Sequence, residues 1–310
     1  MIQKAVFSYF NADESFGNRC GFLQYSDFLF TTALAITCAA RHFKEVQVIS
    51  SSWGVDIFKE IGVPAQFYSN KLDEIKTISP YFWAYGKLLA YCEQKKPFVH
   101  IDNDVFLWNP LPDYILNARL CFQSHEPFDV EGYQFYKMLM DCWKAAPYRP
   151  DAIVKHPVKD YAYNCGICGG NDLSIYKEWK QCSRDYIFAE ENQSLFFDNY
   201  PELLIHQNLF HEQYFLACLV KKHNMRRNVK VLNNNALMIN NGYPMKKPRY
   251  THLWGTTKQD DYTMFKVRNS LRTFNPKLYL NIITFCKKNK LKYSRDNLSL
   301  QKQMVQATIE

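Results

Sequence analysis

The sequence predicts an α/β protein with a mostly parallel central sheet flanked by helices. Segments typical of strands and of helices alternate along the first third of the chain, and such alternation favours β-α-β units with parallel strands. Apolar residues make up 47% of the chain and aromatic residues 16%, a composition that suits a well-filled globular core. The 310 residues are enough for one large α/β domain with a small appendage.

Each element in the first third of the chain has a local signal. Short apolar runs rich in β-branched and aromatic residues predict the strands, and apolar residues at helical spacing predict the helices. Gly62, followed by Val63 and Pro64, is typical of a helix end. In open sheets of this kind ligands bind beyond the carboxyl ends of the strands, so we expect the site to follow residue 101. The predicted strands are 5–10, 46–49 and 98–101, and the predicted helices are 27–43, 55–61 and 81–94.

The rest of the chain has a less regular pattern. Strands are predicted at 120–124, 161–170 and 229–232, helices at 130–143, 179–198, 211–223, 265–272 and 277–290, and loops at 145–160 and 233–249. Neither an internal repeat nor a low-complexity linker interrupts the sequence. The simplest division is one α/β domain, residues 1–262, followed by a basic helical extension, residues 263–310, that packs on it.

The positive charge of the chain is concentrated near its end. The net charge is +8, and residues 246–310 alone carry 14 Lys or Arg against 4 Asp or Glu. Such a surplus suits an anionic partner, such as phosphates, a polyanion or the headgroups of a membrane face, and it equally suits a solvated helical surface. No nucleic-acid recognition motif accompanies the charge, so we expect no nucleic-acid partner.

The ten cysteines indicate a reducing compartment. Most of them stand singly in apolar surroundings, and the Cys165-x-x-Cys168 pair lacks the second pair of ligands that a structural zinc site needs. The sequence also shows neither a signal-peptide pattern nor the run of about 20 apolar residues that crosses a membrane. We therefore expect reduced thiols and a cytoplasmic protein, peripheral at most at the inner face of a membrane.

Two carboxylates directly follow the predicted strand 98–101. Asp102 and Asp104 stand at i and i+2, which places them on one face of an extended segment or lets them converge at a strand end. Carboxylate oxygens are the ligands that Mg²⁺ and Mn²⁺ prefer, with other positions left for water and a diphosphate. An isolated Asp-x-Asp is more often only an acidic loop, so the interpretation depends on the rest of the chain.

A second motif lies far along the chain. His252, Gly255 and Lys258 have the spacing His-x-x-Gly-x-x-Lys. An imidazole can complete a metal site begun by carboxylates, a glycine lets the backbone approach a phosphate, and a lysine neutralises its charge. These are the parts that the paired aspartates lack.

Two further segments carry polar groups in apolar surroundings. Asn164 and Gly166 lie in a glycine-rich predicted strand, and glycines within a strand mark close approach by a ligand or another backbone. Glu212 and Gln213 open an apolar predicted helix. There the acid either complements the helix dipole or, together with the amide, lies beside a reacting carbon.

In this order the motifs resemble the retaining A-type (GT-A) glycosyltransferases, and most closely family eight, which contains glycogenin and the lipopolysaccharide galactosyltransferases. The resemblance spans about residues 5–260 in motif order. It implies a GT-A fold and a metal-dependent hexosyltransferase in glycan biosynthesis. It also implies transfer from a nucleotide diphosphate sugar, expected to be a UDP-sugar, with retention of configuration. The acceptor would be a hydroxyl of a glycan, glycolipid or peptide.

The resemblance also implies roles for individual residues. Asp102, Asp104 and His252 would hold Mn²⁺ or Mg²⁺, and Gln213, less favourably Glu212, would act at the reacting centre. The sequence departs from the family at Glu212, where an aspartate is usual, and at Gln259 and Asp260, which replace Pro-Trp after Lys258. A lid is expected at 233–248. The donor would be bound by Ser8, Tyr9, Phe10, Lys87, Asp102, Asn103, Asn164, Gly166, Gly255 and Lys258.

Two alternatives from other classes stay open on the sequence alone. A nucleotidyltransferase acting on a sugar phosphate would share the carboxylate metal site and the sheet, but it would release pyrophosphate. A non-catalytic anion-binding protein would work through its basic C-terminal tail, and its Asp102 would be replaceable.

Overall fold

The structure is a computed structural model and describes residues 1–130, 133, 135–232, 249–253 and 255–293. Its strands are β1 (Lys4–Tyr9), β2 (Glu45–Ser50), β3 (Phe67–Ser69), β4 (Phe98–Ile101), β5 (Val105–Leu107), β6 (Leu120–Pro127), β7 (Tyr161–Gly170), β8 (Val229–Val231) and β9 (Tyr250–His252). Its helices are α1 (Tyr25–Ala40), α2 (Ser52–Ile61), α3 (Ala84–Glu93), α4 (Asp113–Leu116), α5 (Phe135–Ala145), α6 (Asp151–Val154), α7 (Ile175–Ile187), α8 (Glu190–Ser194), α9 (Gln207–Leu209), α10 (Phe215–Lys222), α11 (Asp261–Phe274) and α12 (Pro276–Lys288).

The predicted fold class is confirmed. Seven strands form one sheet in the order β3-β2-β1-β4-β7-β6-β8. β1 pairs in parallel with β2 and β4, β2 pairs in parallel with β3, and β6 pairs in parallel with β8. The longest strand, β7, is antiparallel to both of its neighbours. The carboxyl ends of β1, β2, β3 and β4 therefore meet at one edge of the sheet, where a ligand site is expected.

Two apolar cores cover the two faces of the sheet. Successive side chains of β1 alternate between them: Val6 belongs to the core that contains α3, α5, α7 and α10, whereas Ala5 and Phe7 belong to the core that contains α1, α2, α11 and α12. β4 divides in the same way between Phe98 and Val99. This alternation is the consequence of the two-residue period of a strand that is buried on both faces.

A second, two-stranded sheet lies beside the large one. β5 and β9 pair antiparallel, and Val105 lies opposite His252. Neither of these three-residue strands was predicted, because segments so short show no periodicity. β3, which also has only three residues, was missed for the same reason. In addition, its Phe67 is half exposed at the edge of the sheet.

The predicted helices are present with boundaries shifted by a few residues, and two of them are not continuous α-helices. The predicted helix 179–198 is in fact α7 and α8, followed by a π-helical turn, Leu195–Asn199, because the chain leaves helical geometry at Phe188. The predicted helix 211–223 begins as a π-helical turn, Phe210–Tyr214, before it continues as α10. The predicted loop at 145–160 contains the short helix α6.

The C-terminal helices pack on the N-terminal part of the chain. Buried side chains of α11 and α12 share a core with α1 and α2, and Arg268 of α11 forms a buried ion pair with Asp27 of α1 at 2.9 Å. A division at residue 262 stays a prediction, and residues 294–310 of the predicted extension lie outside the described residues. Among the described residues, no helix is both long and apolar enough to cross a membrane.

Candidate active site

The β5–β9 pairing brings the C-terminal histidine to the paired aspartates. His252 lies opposite Val105, the residue after Asp104, and the backbone N–H of Leu253 donates to the carbonyl oxygen of Asp104 at 3.0 Å. One potential ligand atom from each of Asp102, Asp104 and His252 lies within 4.8 Å of the others. Three residues that the sequence separates by about half of the chain thus share one site.

Backbone hydrogen bonds shape the turn that carries the aspartates. The N–H of Asp102 donates to the carbonyl oxygen of Gly166 at 2.9 Å, and the N–H of Val105 donates to that of Asp102 at 3.0 Å. The amide of Asn103 donates to the carbonyl oxygen of Ser8 at 2.8 Å and ties the turn to β1. The Asn103 side chain therefore holds the turn. A contact between Asn103 and the donor stays a prediction.

The donor atoms fit a hard divalent cation. Oδ1 of Asp104 is buried without a hydrogen-bond partner in the described part of the chain and lies 3.5 Å from Nε2 of His252. Burial lowers the pKa of His252 and so keeps the imidazole neutral, which is the form that binds metals. Burial by itself would raise the pKa of Asp104, but the ammonium of Lys258 outweighs it and holds that pKa below its usual value. Two carboxylates and one neutral imidazole suit Mn²⁺ or Mg²⁺.

Lys258 lies beside the same carboxylate. Its Nζ is 2.6 Å from Oδ2 of Asp104 and lies over the ring of Phe22, 5.5 Å from the ring centroid. Gly255 opens the short 3₁₀ turn that carries Lys258 and has a left-handed φ of +56°; apart from its chain neighbours, no described residue comes within 4 Å of where a Cβ would stand. The predicted phosphate contacts of Gly255 and Lys258 stay predictions.

Gly166 lies where a side chain would collide with His252. A Cβ at this position would stand 2.7 Å from Cε1 of His252 and 2.4 Å from Oε1 of Gln123. The position lies in a bulge, because β7 carries three residues between Asn164 and Cys168 where β6 carries one. Bulges of this kind re-aim side chains next to active sites.

Gly166→Ala should therefore weaken metal binding by displacing the imidazole. We expect about 10- to 100-fold lower affinity for Mn²⁺, the loss typical when the surroundings of a metal ligand are disturbed. Titration with Mn²⁺ followed by electron paramagnetic resonance measures it. Gly17→Ala is the matched control, since a Cβ there meets only Oγ of Ser15 at 3.4 Å. Equal Mn²⁺ affinity in both variants would show that Gly166 does not set the position of His252.

Lys87 joins the aspartate turn to the π-helical turn. Its Nζ lies 2.8 Å from Oδ1 of Asp102 and 2.5 Å from Oε1 of Glu212, and the side chains of Lys87 and Glu212 are buried. Burial alone would lower the pKa of Lys87, but the two carboxylates raise it, so the ammonium stays charged. Glu212 lies in the turn Phe210–Tyr214, and such π turns are frequent at functional sites.

The pKa of Glu212 is raised from 4.5 to about 7. Burial is the main cause, the nearby charge of Asp102 adds to it, and the attraction of Lys87 offsets only part. Lys87 is shared between two carboxylates, so it does not neutralise Glu212 fully. Near neutral pH this carboxyl can therefore take up or release a proton, as groups with such pKa values do at functional sites.

Glu212→Gln should reduce the dependence of stability on pH in the metal-free protein. A carboxyl whose pKa is raised on folding binds more protons in the folded state, so between its unfolded pKa of 4.5 and about 7 its contribution to the free energy of unfolding falls as pH rises. Urea unfolding in EDTA at about pH 5 and about pH 8 measures the difference. Glu74→Gln, an exposed carboxyl, is the control. Identical pH profiles for Glu212→Gln and the wild type would contradict the assignment.

Sequence reasoning missed a buried carboxylate, Glu126. Its Oε1 accepts from the amide of Asn164 at 2.6 Å and its Oε2 from the hydroxyl of Tyr136 at 2.7 Å. The oxygen of the same hydroxyl lies 2.7 Å from the side-chain amide of Gln213. Since its single proton goes to Glu126, the hydroxyl accepts from Gln213 when the amide nitrogen faces it. Burial raises the pKa of Glu126 despite these hydrogen bonds. In the sequence Glu126 is an acid six residues after Leu120, and the predicted strand, 120–124, ended before it.

His100 was also missed. It is buried on β4, its Nε2 lies 2.9 Å from Oγ of Ser8, and its Nδ1 lies 3.6 Å from Oδ1 of Asp102. Burial first, and Lys87 second, lower its pKa well below the usual value, so the ring is neutral. A neutral ring that accepts from Ser8 at Nε2 carries its proton at Nδ1, facing the carboxylate.

The predicted nucleobase segment lies at the end of β1. Tyr9 is buried in one core, with its ring centroid 4.6 Å from that of Phe28, and Phe10 is buried in the other core against Gly86. The hydroxyl of Ser8 is hydrogen-bonded to His100. A role for Ser8, Tyr9 and Phe10 in nucleobase binding stays a prediction, and the predicted lid 233–248 lies outside the described residues.

Known structures share this overall arrangement only distantly. The chain is similar to the galactosyltransferase LgtC in complex with donor and acceptor sugar analogues, with 16% identity, a TM-score of 0.41, and coverage of 94% of this chain and 98% of that one. For the glycosyltransferase GlyE of Streptococcus pneumoniae the values are 12%, 0.40, 96% and 66%. For the inositol-1-phosphate CTP transferase from T. maritima they are 11%, 0.37, 87% and 96%. Scores this low carry no argument about function.

Sequence comparison assigns the chain to a family. No curated protein sequence matches it. A family model does match, over residues 3–285, and its description is a family of unknown function, DUF6734. Since this match covers most of the chain, the protein belongs to the DUF6734 family.

Proposed function

We propose that this protein is a metal-dependent glycosyltransferase that moves a sugar from a nucleotide diphosphate sugar to an acceptor hydroxyl. The observation that carries the proposal is the meeting of Asp102, Asp104 and His252 at one edge of the sheet. A divalent cation held by these three residues would neutralise the charge that develops on a departing diphosphate. Lys258, 2.6 Å from Asp104, supplies further positive charge at the same place.

The polar half of the proposed site consists of two side-chain amides, Asn164 and Gln213, beside the Glu126–Tyr136 pair. Asn164 and Gln213 share hydrogen bonds with the Glu126–Tyr136 pair, which fixes both amides. Amides held in this way suit the reading of sugar hydroxyls. We assign Asn164 to the sugar of the donor, and Gln213 to stabilising the electron-poor anomeric carbon that forms when the sugar–phosphate bond breaks.

Lys87 and Glu212 support this arrangement. Because Lys87 bridges Asp102 and Glu212, it fixes the aspartate turn relative to the turn that carries Gln213. We favour Gln213 over Glu212 as the residue at the reacting centre, because the carboxylate of Glu212 is already bound by Lys87. Retention of configuration, a UDP-sugar donor and Mn²⁺ as the metal are the further parts of this proposal, and they rest on the sequence resemblance to family eight.

The nucleotide test separates this function from its alternatives. In a thermal-shift panel of UDP-, GDP- and CDP-sugars, with and without Mn²⁺, a nucleotide sugar and the metal together should raise the melting temperature more than the metal alone or the nucleotide sugar alone. Incubation with the stabilising donor should then release a nucleoside diphosphate. Release of pyrophosphate from a nucleoside triphosphate and a sugar phosphate would instead show a nucleotidyltransferase. No shift with any donor would overturn the proposal.

The partners of the proposed enzyme are a nucleotide sugar, an acceptor glycan, glycolipid or peptide, and an anionic membrane surface contacted by the basic tail. Lys287 and Lys288 end α12 and belong to that basic segment. Co-sedimentation of the wild type and of the Lys287→Gln/Lys288→Gln variant with vesicles of anionic lipid tests the membrane contact, with neutral vesicles as the control. We also propose a cytoplasmic location.

A further inference from the structure

Three exposed aromatic side chains lie at the N-terminal end of α3. Tyr81, Trp83 and Phe197 are 48%, 36% and 42% exposed, and the rings of Tyr81 and Phe197 meet edge to face with centroids 6.2 Å apart. We call these three residues the aromatic rim. Clusters of exposed apolar side chains on a protein surface commonly mark ligand-binding grooves or contact sites.

The aromatic rim borders the proposed active site. Nζ of Lys87 lies 5.9 Å from the ring centroid of Trp83, and the same Nζ contacts Asp102 and Glu212. The direction of the chain agrees, because α3 leads directly into β4, so its N-terminal end points to the edge where the parallel strands have their carboxyl ends. Trp83 is thus next to the groups that would act on the donor.

The aromatic rim is rigidly held. Asn208 is completely buried, and its side chain donates to the carbonyl oxygen of Tyr81 at 2.5 Å and accepts from the N–H of Ala84 at 2.9 Å. Phe82, between the exposed rings, is completely buried in the core. The backbone that carries Tyr81 and Trp83 is therefore held in a fixed turn, so little backbone entropy is lost when these residues bind a ligand.

We propose that the aromatic rim is an acceptor subsite that stacks against the C–H face of a pyranose ring. This inference rests on the proposed function and adds that the acceptor is a carbohydrate. A flat, uncharged ring suits the weakly polarised C–H bonds of a sugar, as it suits the positive edge of another aromatic ring. Lys87, the cation over Trp83, already pairs with two carboxylates, so it adds little attraction for an anionic acceptor.

Four variants test the subsite. Trp83→Ala and Phe197→Ala remove ring faces, Trp83→Phe keeps a smaller one, and Phe274→Ala is the control. Phe274 is also 42% exposed, and it ends α11 on the other face of the sheet. Binding to a glycan array with UDP and Mn²⁺ present selects the probe saccharide. Its dissociation constant and the affinity for Mn²⁺–UDP are then measured for each variant by calorimetry.

We expect Trp83→Ala to weaken saccharide binding about tenfold, the effect of one lost aromatic contact, with Mn²⁺–UDP affinity unchanged. Trp83→Phe should recover most of the loss and Phe274→Ala should show none. Unchanged saccharide binding in Trp83→Ala overturns the inference, as does a wild type that binds Mn²⁺–UDP but no glycan. Weaker Mn²⁺–UDP binding with unchanged saccharide binding overturns it by assigning the ring to the donor. A wild type that binds no Mn²⁺–nucleotide overturns the proposed function instead.

Discussion

Asp104→Ala should abolish Mn²⁺ binding and lower the turnover of a nucleotide sugar by more than about 100-fold. The substitution removes one of three protein ligands, and it also leaves the ammonium of Lys258 without its carboxylate. Asp102→Ala should cause a loss of similar size, because it removes a second ligand and one of the two partners of Lys87. Mn²⁺ titration and donor turnover, measured on the same samples, check both effects.

Two controls separate the loss of a ligand from the loss of the fold. Asp104→Asn keeps the volume and removes the charge, so its melting temperature should stay closer to the wild type while Mn²⁺ binding is still lost. Asp141→Asn removes an exposed carboxylate paired only with Lys144, and it should change neither Mn²⁺ binding nor turnover. Near wild-type, Mn²⁺-dependent turnover in Asp104→Ala would refute the metal site.

Lys87→Met should lower the free energy of unfolding by about 3–5 kcal/mol, which is the usual cost of removing one partner of a buried ion pair. Glu212 is buried, and the loss of Lys87 raises its pKa further above about 7, so at higher pH the variant must either bury this charge without Lys87 or bind a proton. The loss should be smaller at acidic pH, because Glu212 can then be protonated. Urea unfolding of both proteins at two pH values measures it.

The double variant Lys87→Met/Glu212→Gln provides the matched control. It removes the buried carboxyl, so it should be more stable than Lys87→Met alone at about pH 8, and this difference should vanish in acid, where Glu212 is protonated. Lys144→Met, at an exposed pair with Asp141, should have little effect. If Lys87→Met unfolded with the stability of the wild type, the buried bridge would not contribute to the fold.

The fold class and the two aspartates of the candidate metal site could be predicted because their signals are local. Alternating apolar segments indicate the sheet, and Asp102 and Asp104 stand directly after a strand that is easy to recognise. His252 could be associated with them only through motif order, since nothing in the sequence near it indicates its partner. Its position depends on pairing between two strands of three residues each, which sequence periodicity does not reveal.

The polar half of the site could not be predicted in the same way. Glu126 becomes significant only when β6 and β7 pair, because this brings Asn164 within 2.6 Å of it. The π-helical turn that carries Glu212 looks like an ordinary apolar helix in the sequence, since both share the same composition. A bulge such as that at Gly166 also depends on the partner strand, and glycine alone indicated only a close approach.

The pairing of β5 with β9 has a consequence for the order of folding. It joins positions 105 and 252, so the candidate ligand set depends on a contact of high sequence separation, and we expect it to form late, after closure of a long loop. A chain emerging from the ribosome completes β1, β2 and β4 well before β9 is synthesised. Nascent chains that end before β9 lack His252, so the candidate ligand set should stay incomplete until β9 has been synthesised.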